Sequence, residues 1–500
     1  MVSPLVLILC LTLPLIFFFQ KQRTLKNKAF PPSPKGLPII GNLHQLGNSS
    51  LFFQLFELSK TYGPIFSLQL GLRRAIVISS PKLAKEALKN HDRVFAGRPS
   101  NLIGPQKLTY NGLGISFSPY NQYWRETRKT CVAHIFSSKR VSSFSSVRTF
   151  EVKNLIKKIS SHASSKKVTN LNEALISLSS TIICRIAFGR RYEDEGVERS
   201  KFHDLLNECQ AMLAGFFVSD FIPFLGWIDR LNGMHKRLDR IFKELDKFYQ
   251  EVIDEHMDPN RDTSNGEDII DVLLQLKKHQ SLSFDLTIDH IKALFVDILV
   301  AGTDTTAATT VWAMTALIKN PRVMKKVQKE VRNFGGQKDF LEEEDIQKCS
   351  YLKAMIKETL RLYPPGPLLV PKETNEKCSI NGYEIPSKTI VYVNVWAIHR
   401  DYEFWKDPYE FYPERFLDSD IDFLGQNFEL IPFGAGRRIC PGMHMALASL
   451  DLILANLLHS FDWELPEGMT KEDIDTQVLP GITLLKKNPL YLIAKIFNKG

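Results

Sequence analysis

Apolar and polar residues follow two periods along this chain. Over most of its length apolar positions recur every three to four residues, which places them on one face of a helix. That spacing predicts helices over 51–62, 81–90, 122–135, 152–160, 171–188, 236–255, 287–319, 321–333 and 351–363. Two-residue alternation, the signature of a half-buried strand, is confined to 65–78 and 379–394. The serine-rich residues 137–146 and the polar stretch 258–267 read as surface loops. The fold class that follows is mainly α with a minor β region.

The N-terminus breaks this pattern. Residues 2–19 carry no charge and are almost wholly apolar. At about 1.5 Å per residue, such a helix crosses most of a hydrocarbon core roughly 30 Å thick. Lys21, Arg23, Lys26 and Lys28 follow at once. No basic residue precedes the run and no small-x-small site closes it, so residues 1–20 read as an uncleaved signal anchor. The positive flank places the body on the cytoplasmic side. Asn48-Ser49-Ser50, a formal glycosylation acceptor, is then expected to stay unmodified. Pro31, Pro32, Pro34 and Pro38 exclude a helix or a central strand. Residues 21–38 are thus a stiff basic and proline-rich linker, and 39–500 a single globular body.

Composition narrows the reading further. The chain has 500 residues, 44% of them hydrophobic, enough for a large core. Its charge is +9, from 64 Lys plus Arg against 55 Asp plus Glu. The cations form no long block, which argues against nucleic acid and fits an acidic protein partner or an anionic lipid surface. Cys10, Cys131, Cys184, Cys209, Cys349, Cys378 and Cys440 are scattered with no CxxC spacing. They form neither a disulfide framework nor a zinc module. All but Cys440 read as buried small hydrophobes.

Two segments break local rules. The helix predicted over 287–319 is apolar on most faces, so it should run through the core. In its middle stands Ala301-Gly302-Thr303-Asp304-Thr305-Thr306, with poor helix formers and an ionisable group that is costly to bury. This is either a functional break or a kinked core helix whose threonines bond back to carbonyls. The second segment is Pro432-Phe433-Gly434-Ala435-Gly436-Arg437-Arg438-Ile439-Cys440-Pro441-Gly442, ahead of a helix over 443–459. The nearby arginines and helix N-terminus both favour a thiolate at Cys440. One cysteine with no Cys or His partner nearby suits neither zinc nor an iron–sulfur cluster. It suits haem, whose porphyrin supplies the other four donors.

The second segment resembles the haem-binding loop of the cytochromes P-450, with Phe433, Gly436, Arg438, Cys440 and Gly442 in place. Four other segments agree in order: Trp124-Arg125-Glu126-Thr127-Arg128, Ala301 to Thr306, Glu358-Thr359-Leu360-Arg361 and Pro413-Glu414-Arg415-Phe416. The proline spacer, Asn394-Val395-Trp396-Ala397-Ile398 and the form of the loop look like the plant microsomal (A-type) branch. The resemblance implies a P-450 fold preceded by one transmembrane helix, in the endoplasmic reticulum membrane.

It also implies haem b as cofactor, with Cys440 the axial iron ligand and Phe433 packed on the ligand side. Trp124, Arg128, Arg438 and Lys372 would bind the haem propionates, Lys372 standing where the family usually has arginine. Glu358, Arg361 and Arg415 would form a buried ion network. Thr305 and Asp304 would relay protons. Phe216, Phe217, Ala301, Leu368, Leu369 and Ile482 would line the substrate pocket.

The implied reaction inserts one atom of dioxygen into a small apolar, aromatic plant metabolite, such as an aldoxime or a flavonoid-like phenolic. NADPH supplies electrons indirectly, through NADPH-cytochrome P-450 reductase, with cytochrome b5 as a second candidate donor. Two alternatives stay open at this level: a haem-thiolate isomerase or dehydratase that needs no reductase, and a non-catalytic membrane-tethered haem protein.

Overall fold

The computed structural model describes residues 30–47, 50–191, 196–261, 266–280, 282 and 284–498. The anchor at 1–20, residues 21–29 of the linker and the Asn48-Ser49 pair of the glycosylation motif lie outside them.

Apolar periodicity becomes helix along most of the chain. The main helices are α1 (Leu51–Tyr62), α2 (Gln122–His134), α3 (Ser145–Ser164), α4 (Leu171–Phe188) and α5 (Gly196–Leu213). Next come α6 (Met234–Met257), α7 (Ile269–Lys278), α8 (Ile288–Lys319), α9 (Pro321–Gly335), α10 (Ser350–Leu362) and α11 (Met443–Ser460). Side-chain caps fix several starts. Asn121 accepts the Trp124 amide at 2.8 Å and opens α2. Thr287 and His290 form a reciprocal capping box at the start of α8.

The 32-residue helix α8 spans about 48 Å at 1.5 Å per residue. Between Ile291 and Ile318 only Asp297, Val300, Ala301, Gly302 and Thr305 are not buried. Asp297, Ala301 and Thr305 are spaced four apart, so one stripe of a core helix meets accessible space. On another side α4 presses close: a Cβ on Gly302 would stand 2.7 Å from Ile183 Cδ1. A larger residue there would have to displace the Ile183 side chain. By length and composition α4 and α8 could each cross a membrane, but both pack within the main core.

The β region is peripheral. Strands β1 (Ile65–Leu70) and β2 (Arg73–Ile78) form a hairpin. Strand β3 is Thr169–Asn170 and β4 is Lys372–Glu373. Strands β5 (Cys378–Ile380) and β6 (Tyr383–Ile385) pair with each other, ahead of β7 (Ile390–Val393). Strands β8 (Phe461–Glu464) and β9 (Tyr491–Ile496) follow α11. One sheet runs β1-β2-β7-β4, with β2 and β7 parallel; another runs β3-β9-β8.

Residues 137–146 depart from the loop expectation. Ser138–Ser143 is helical, capped by Ser137, and α3 begins at Ser145. Val141 and Phe144 are buried, and that burial outweighs the weak helix propensity of the serines. Helix α5 was not foreseen from periodicity.

Candidate active site

The cysteine loop is closed by the Cys440 amide, which donates to the Phe433 carbonyl at 2.9 Å. Gly434 and Gly436 both take positive φ. A Cβ on Gly436 would fall 2.2 Å from the Leu88 carbonyl oxygen, so that site requires glycine. Phe433 is half-buried and meets Phe423 edge-on at 5.6 Å.

The electrostatics of the thiol differ from the sequence expectation. Burial is the dominant effect and pushes Cys440 up, opposed by the Gly442 amide and the Arg128 charge. The two arginines just before Cys440 face elsewhere. Arg437 pairs with Asp92 at 3.3 Å. Arg438 donates to the carbonyls of Ala96, Ile115 and Ser118 at 2.9, 2.9 and 2.6 Å. The cation that favours the thiolate is Arg128 on α2, whose guanidinium also donates to the Ile439 carbonyl. Neighbours in space, not in sequence, set this charge.

Around Arg438 the structure gathers the other expected basic groups. Its guanidinium lies 4.0 Å from the centre of the Trp124 ring. The Trp124 indole N–H donates to the Ile115 carbonyl at 3.0 Å. Lys372 is buried, and burial followed by Arg98, Arg438 and Arg128 drives its pKa far down. Arg98 was not singled out in the sequence, where nothing sets it apart. It is buried, donates to Ser116, Val370 and Pro371 carbonyls, and is pulled down to about 9 by burial. Arg438 is pulled down to about 8, chiefly by burial and then by Arg98 and Arg128.

The facing acid is Asp297 on α8, which accepts from the Ile115 and Ser116 amides and the Ser116 hydroxyl. Burial raises its pKa. Four basic side chains, Arg98, Arg128, Arg438 and Lys372, face Asp297, so the cluster is rich in cationic groups. Guanidinium groups do not readily give up a proton, so such a cluster calls for an anion. The two propionates of haem b are anions that such a cluster would bind. The residues present therefore fit the group. When bound, haem would supply dioxygen activation, and its iron would hold the sulfur as thiolate.

Thr305 and Asp304 lie in the stretch of α8 that breaks the local rules, but they do different things. The Thr305 hydroxyl donates to the Ala301 carbonyl at 2.6 Å, on the accessible stripe. Asp304 is buried about 100° further round the helix, away from the accessible stripe. Burial raises the Asp304 carboxyl to about 6.

Glu358, Arg361 and Arg415 come together in the structure. Arg361 grips Glu358 with two bonds, Nε to Oε2 at 2.7 Å and Nη2 to Oε1 at 2.8 Å. Arg415 Nε reaches Glu358 Oε1 at 3.2 Å. Sequence reasoning missed His399, which ties this network to the cysteine loop: its Nε2 accepts the Ile431 amide at 2.9 Å. Its only signal was adjacency to the segment 394–398.

The proposed pocket residues divide. Ala301 is open on the stripe. Phe217 is buried, and its ring would lie 3.4 Å from a Cβ on Gly104, joining the 100–114 and 212–217 segments. Leu368 and Ile482 are half-buried. Leu369 takes a positive φ of 54° and packs against the cysteine loop, 3.6 Å from a Cβ on Gly434. Phe216 lies at the surface, 54% exposed and stacked on Phe221 at 5.3 Å. Phe216 is thus separated from the pocket, because the chain turns after α5 and only Phe217 folds inward.

Comparison with known proteins agrees with this geometry. The family model described as cytochrome P-450 matches residues 31–493. The 5-OH-xanthotoxin synthase of Pastinaca sativa is 48% identical, over 99% of this chain and 99% of its own. The 6,7,8-trihydroxycoumarin synthase of the same plant is 47% identical over the same shares. Strychnine-11-hydroxylase of Strychnos nux-vomica is 45% identical over 95% of this chain and 93% of its own. A zebra fish cytochrome P-450 solved with abiraterone superposes with a TM-score of 0.76 at 25% identity, covering 89% of this chain and 99% of that one.

Proposed function

This chain belongs to the cytochrome P-450 family as a haem-thiolate monooxygenase of plant secondary metabolism, and we propose that it oxidises a planar, oxygenated aromatic of the coumarin type. The substrate class is supported by relatives named for xanthotoxin and trihydroxycoumarin products at 47–48% identity. The observation that carries the reading is the accessible stripe of Asp297, Ala301 and Thr305 on a buried helix, beside a cationic cluster joined to the cysteine loop through Arg438. Small, exposed Ala301 leaves room for a flat ring to approach. In this proposal Cys440 holds the iron. Arg98, Arg128, Arg438, Lys372 and the Trp124 edge hold the propionates. Thr305 and Asp304 manage protons.

Electrons come from a reductase, as for the family. For its docking face we assign the exposed side of α2 next to the cysteine loop. Arg125 and Arg437 both lie about 6 Å from the Tyr120 ring, which places two exposed cations side by side. An acidic partner, NADPH-cytochrome P-450 reductase or cytochrome b5, fits that charge. The single-pass endoplasmic reticulum anchor at 1–20, the linker at 21–38 and the cytoplasmic body at 39–500 remain parts of the same proposal. They are supported by an exposed apolar surface near the end of the linker. The Gly71 amide bonds the Ile40 carbonyl and the Leu72 amide bonds the Phe221 carbonyl. Exposed Ile39 and Leu72 thereby adjoin the segment with exposed Phe216, Phe224, Trp227 and Leu231. Such a patch suits a lipid surface.

The direct test is turnover. The full chain, co-expressed with a plant reductase, is offered hydroxycoumarins, furanocoumarins, aldoximes and flavonoids. Oxygenated coumarin product that depends on NADPH and dioxygen is expected. Turnover confined to the other classes overturns the substrate assignment. Product formed without reductase favours the isomerase or dehydratase alternative.

A further inference from the structure

Tyr110 stands in a backbone conformation it does not favour. Tyr110, Asn111 and Gly112 take successive φ values of 52°, 61° and 79°. Glycine adopts that left-handed region at little cost and asparagine tolerates it, but a bulky aromatic residue rarely does. Such a residue persists only where its surroundings hold it. Here the holding groups are plain. Tyr110 is buried, and its hydroxyl donates to Asp246 Oδ1 on α6 at 2.9 Å. The same oxygen accepts from Nζ of Lys292, in the second turn of α8, at 2.7 Å. Lys292 is buried, and Asp246 is the one carboxylate its Nζ meets among the described residues. Burial, and then the Asp246 bond, keeps the Tyr110 phenol far above its usual pKa, so it stays a donor. None of the three belongs to the haem or proton machinery.

The Tyr110 ring lies 5.1 Å from that of Phe242, and Lys107 reaches Asp239 at 3.2 Å. Asp239, Phe242 and Asp246 are three and four residues apart, so the short helix Ile103–Leu108 and Tyr110 sit on one face of α6. From Tyr110 the chain reaches α8 within four residues, a span of at most about 14 Å. A Cβ on Gly114 would collide with the Asp297 carboxylate, which also accepts the Ile115 and Ser116 amides. Asp297 stands one turn before Ala301 on the accessible stripe. The span 110–116 is thus fixed at one end by Asp246 and at the other by Asp297.

We propose that Tyr110, Asp246 and Lys292 form a staple that positions the 110–116 wall against the α8 stripe and so sets which flat ligands fit beside Ala301. This rests on the reading of that stripe as the substrate side of the site. Without the hydroxyl bond Tyr110 can return to negative φ, and a rotation there redirects the residues that lead to Gly114. Lys292 acts through Asp246. The Asp246 side chain is 40% exposed, so without the lysine its carboxylate is free to turn to solvent. All three are positioning residues that select by the placement of the wall.

The test uses the full-length, haem-loaded protein and two probes that bind haem iron directly, imidazole and 4-phenylimidazole, titrated by the shift of the Soret band. Imidazole is too small to reach the wall, whereas the phenyl ring extends toward it. Tyr110→Phe removes one hydroxyl and keeps the ring. In that variant affinity for 4-phenylimidazole is expected to fall about tenfold, the worth of one hydrogen bond to a charged group, while that for imidazole stays within a factor of about two. Lys292→Met should do the same, and Lys292→Arg should keep the wild-type ratio of the two affinities. The double variant Tyr110→Phe, Lys292→Met should lose no more than either single one, because both break one unit. Hydrogen exchange in peptides from 103–116 should quicken in the same variants. A ratio that does not fall in Tyr110→Phe overturns the role in selection, and equal losses for both probes reduce the staple to a structural one and overturn it too. Additive losses in the double variant overturn the three-residue unit. A spin-shift titration with xanthotoxin tests the coumarin reading separately: no shift in wild type sinks that reading, while the ratio of the two imidazoles still decides the staple.

Discussion

His399 and Arg361 clasp each other through their main chains: Arg361 Nη1 donates to the His399 carbonyl at 2.8 Å, and His399 Nδ1 donates to the Arg361 carbonyl at 3.0 Å. The carbonyl can only accept, so Nδ1 carries the ring proton. Nε2 is then free to accept the Ile431 amide, one residue before the cysteine loop. The buried ion network and the loop that presents Cys440 are one hydrogen-bonded unit.

Acid should open that unit. Burial lowers the His399 pKa from 6.5 to about 3. The folded state binds fewer protons than the unfolded state between those values, so the contribution is full above 6.5 and is lost as pH falls toward 3. At about 1.36 kcal/mol per unit the loss approaches roughly 5 kcal/mol. Unfolding by denaturant at pH 7 and pH 4.5 is expected to show a smaller difference in His399→Gln than in wild type.

Arg361→Lys should fail as a conservative change. The guanidinium makes two bonds to Glu358 and reaches the His399, Pro408 and Glu410 carbonyls as well. An ammonium cannot span that fork. Leaving Glu358 buried with an incomplete partner costs about 3–5 kcal/mol. Soluble, haem-containing protein should fall sharply, as measured by the absorbance ratio of haem to protein.

Lys372→Met should move two measurements in opposite directions. Lys372 is buried among Arg98, Arg438 and Arg128, so its removal relieves repulsion in the haem-free protein and raises its melting temperature. With a lowered folded pKa, Lys372 also makes haem-free stability rise with pH above 7, and that slope should shrink in the variant. Haem affinity should weaken about tenfold to a hundredfold, the worth of one charged hydrogen bond. Lys372→Arg should restore it.

Thr305→Ala should uncouple without unfolding. Its hydroxyl bonds only its own helix, to the Ala301 carbonyl, so the fold loses little. A positioned proton donor is worth about 10²–10⁴-fold in rate. The variant is expected to take up haem and consume NADPH while releasing reduced oxygen species in place of product. A variant that loses haem instead would assign Thr305 to holding the helix.

The single acceptor motif at Asn48-Ser49-Ser50 reports on topology. With the body on the cytoplasmic side, the protein from a plant or yeast microsome should show no endoglycosidase-sensitive mass shift. A shift of one glycan would place the body in the lumen.

What the sequence determined by itself was whatever depends on local pattern. Periodicity located α8 to within a residue or two, because a long apolar helix leaves a signal at every turn. The Gly436 and Cys440 loop was legible because a backbone with positive φ and a close approach to Leu88 admits little besides glycine. Glu358, Arg361 and Arg415 were legible through a motif spread over two short segments. Tertiary structure decided what depends on neighbours far apart in the chain. Arg437 and Arg438, adjacent to Cys440 in sequence, point away from it, while Arg128 from α2 faces the sulfur. Arg98 and His399 joined the site through partners up to 272 and 38 residues away. Phe216 and Phe217 parted to opposite sides of one turn. Asp304 and Thr305 were separated by the 100° advance of a helix. Burial and charge act through space, and a linear pattern records them only where sequence neighbours are also spatial ones.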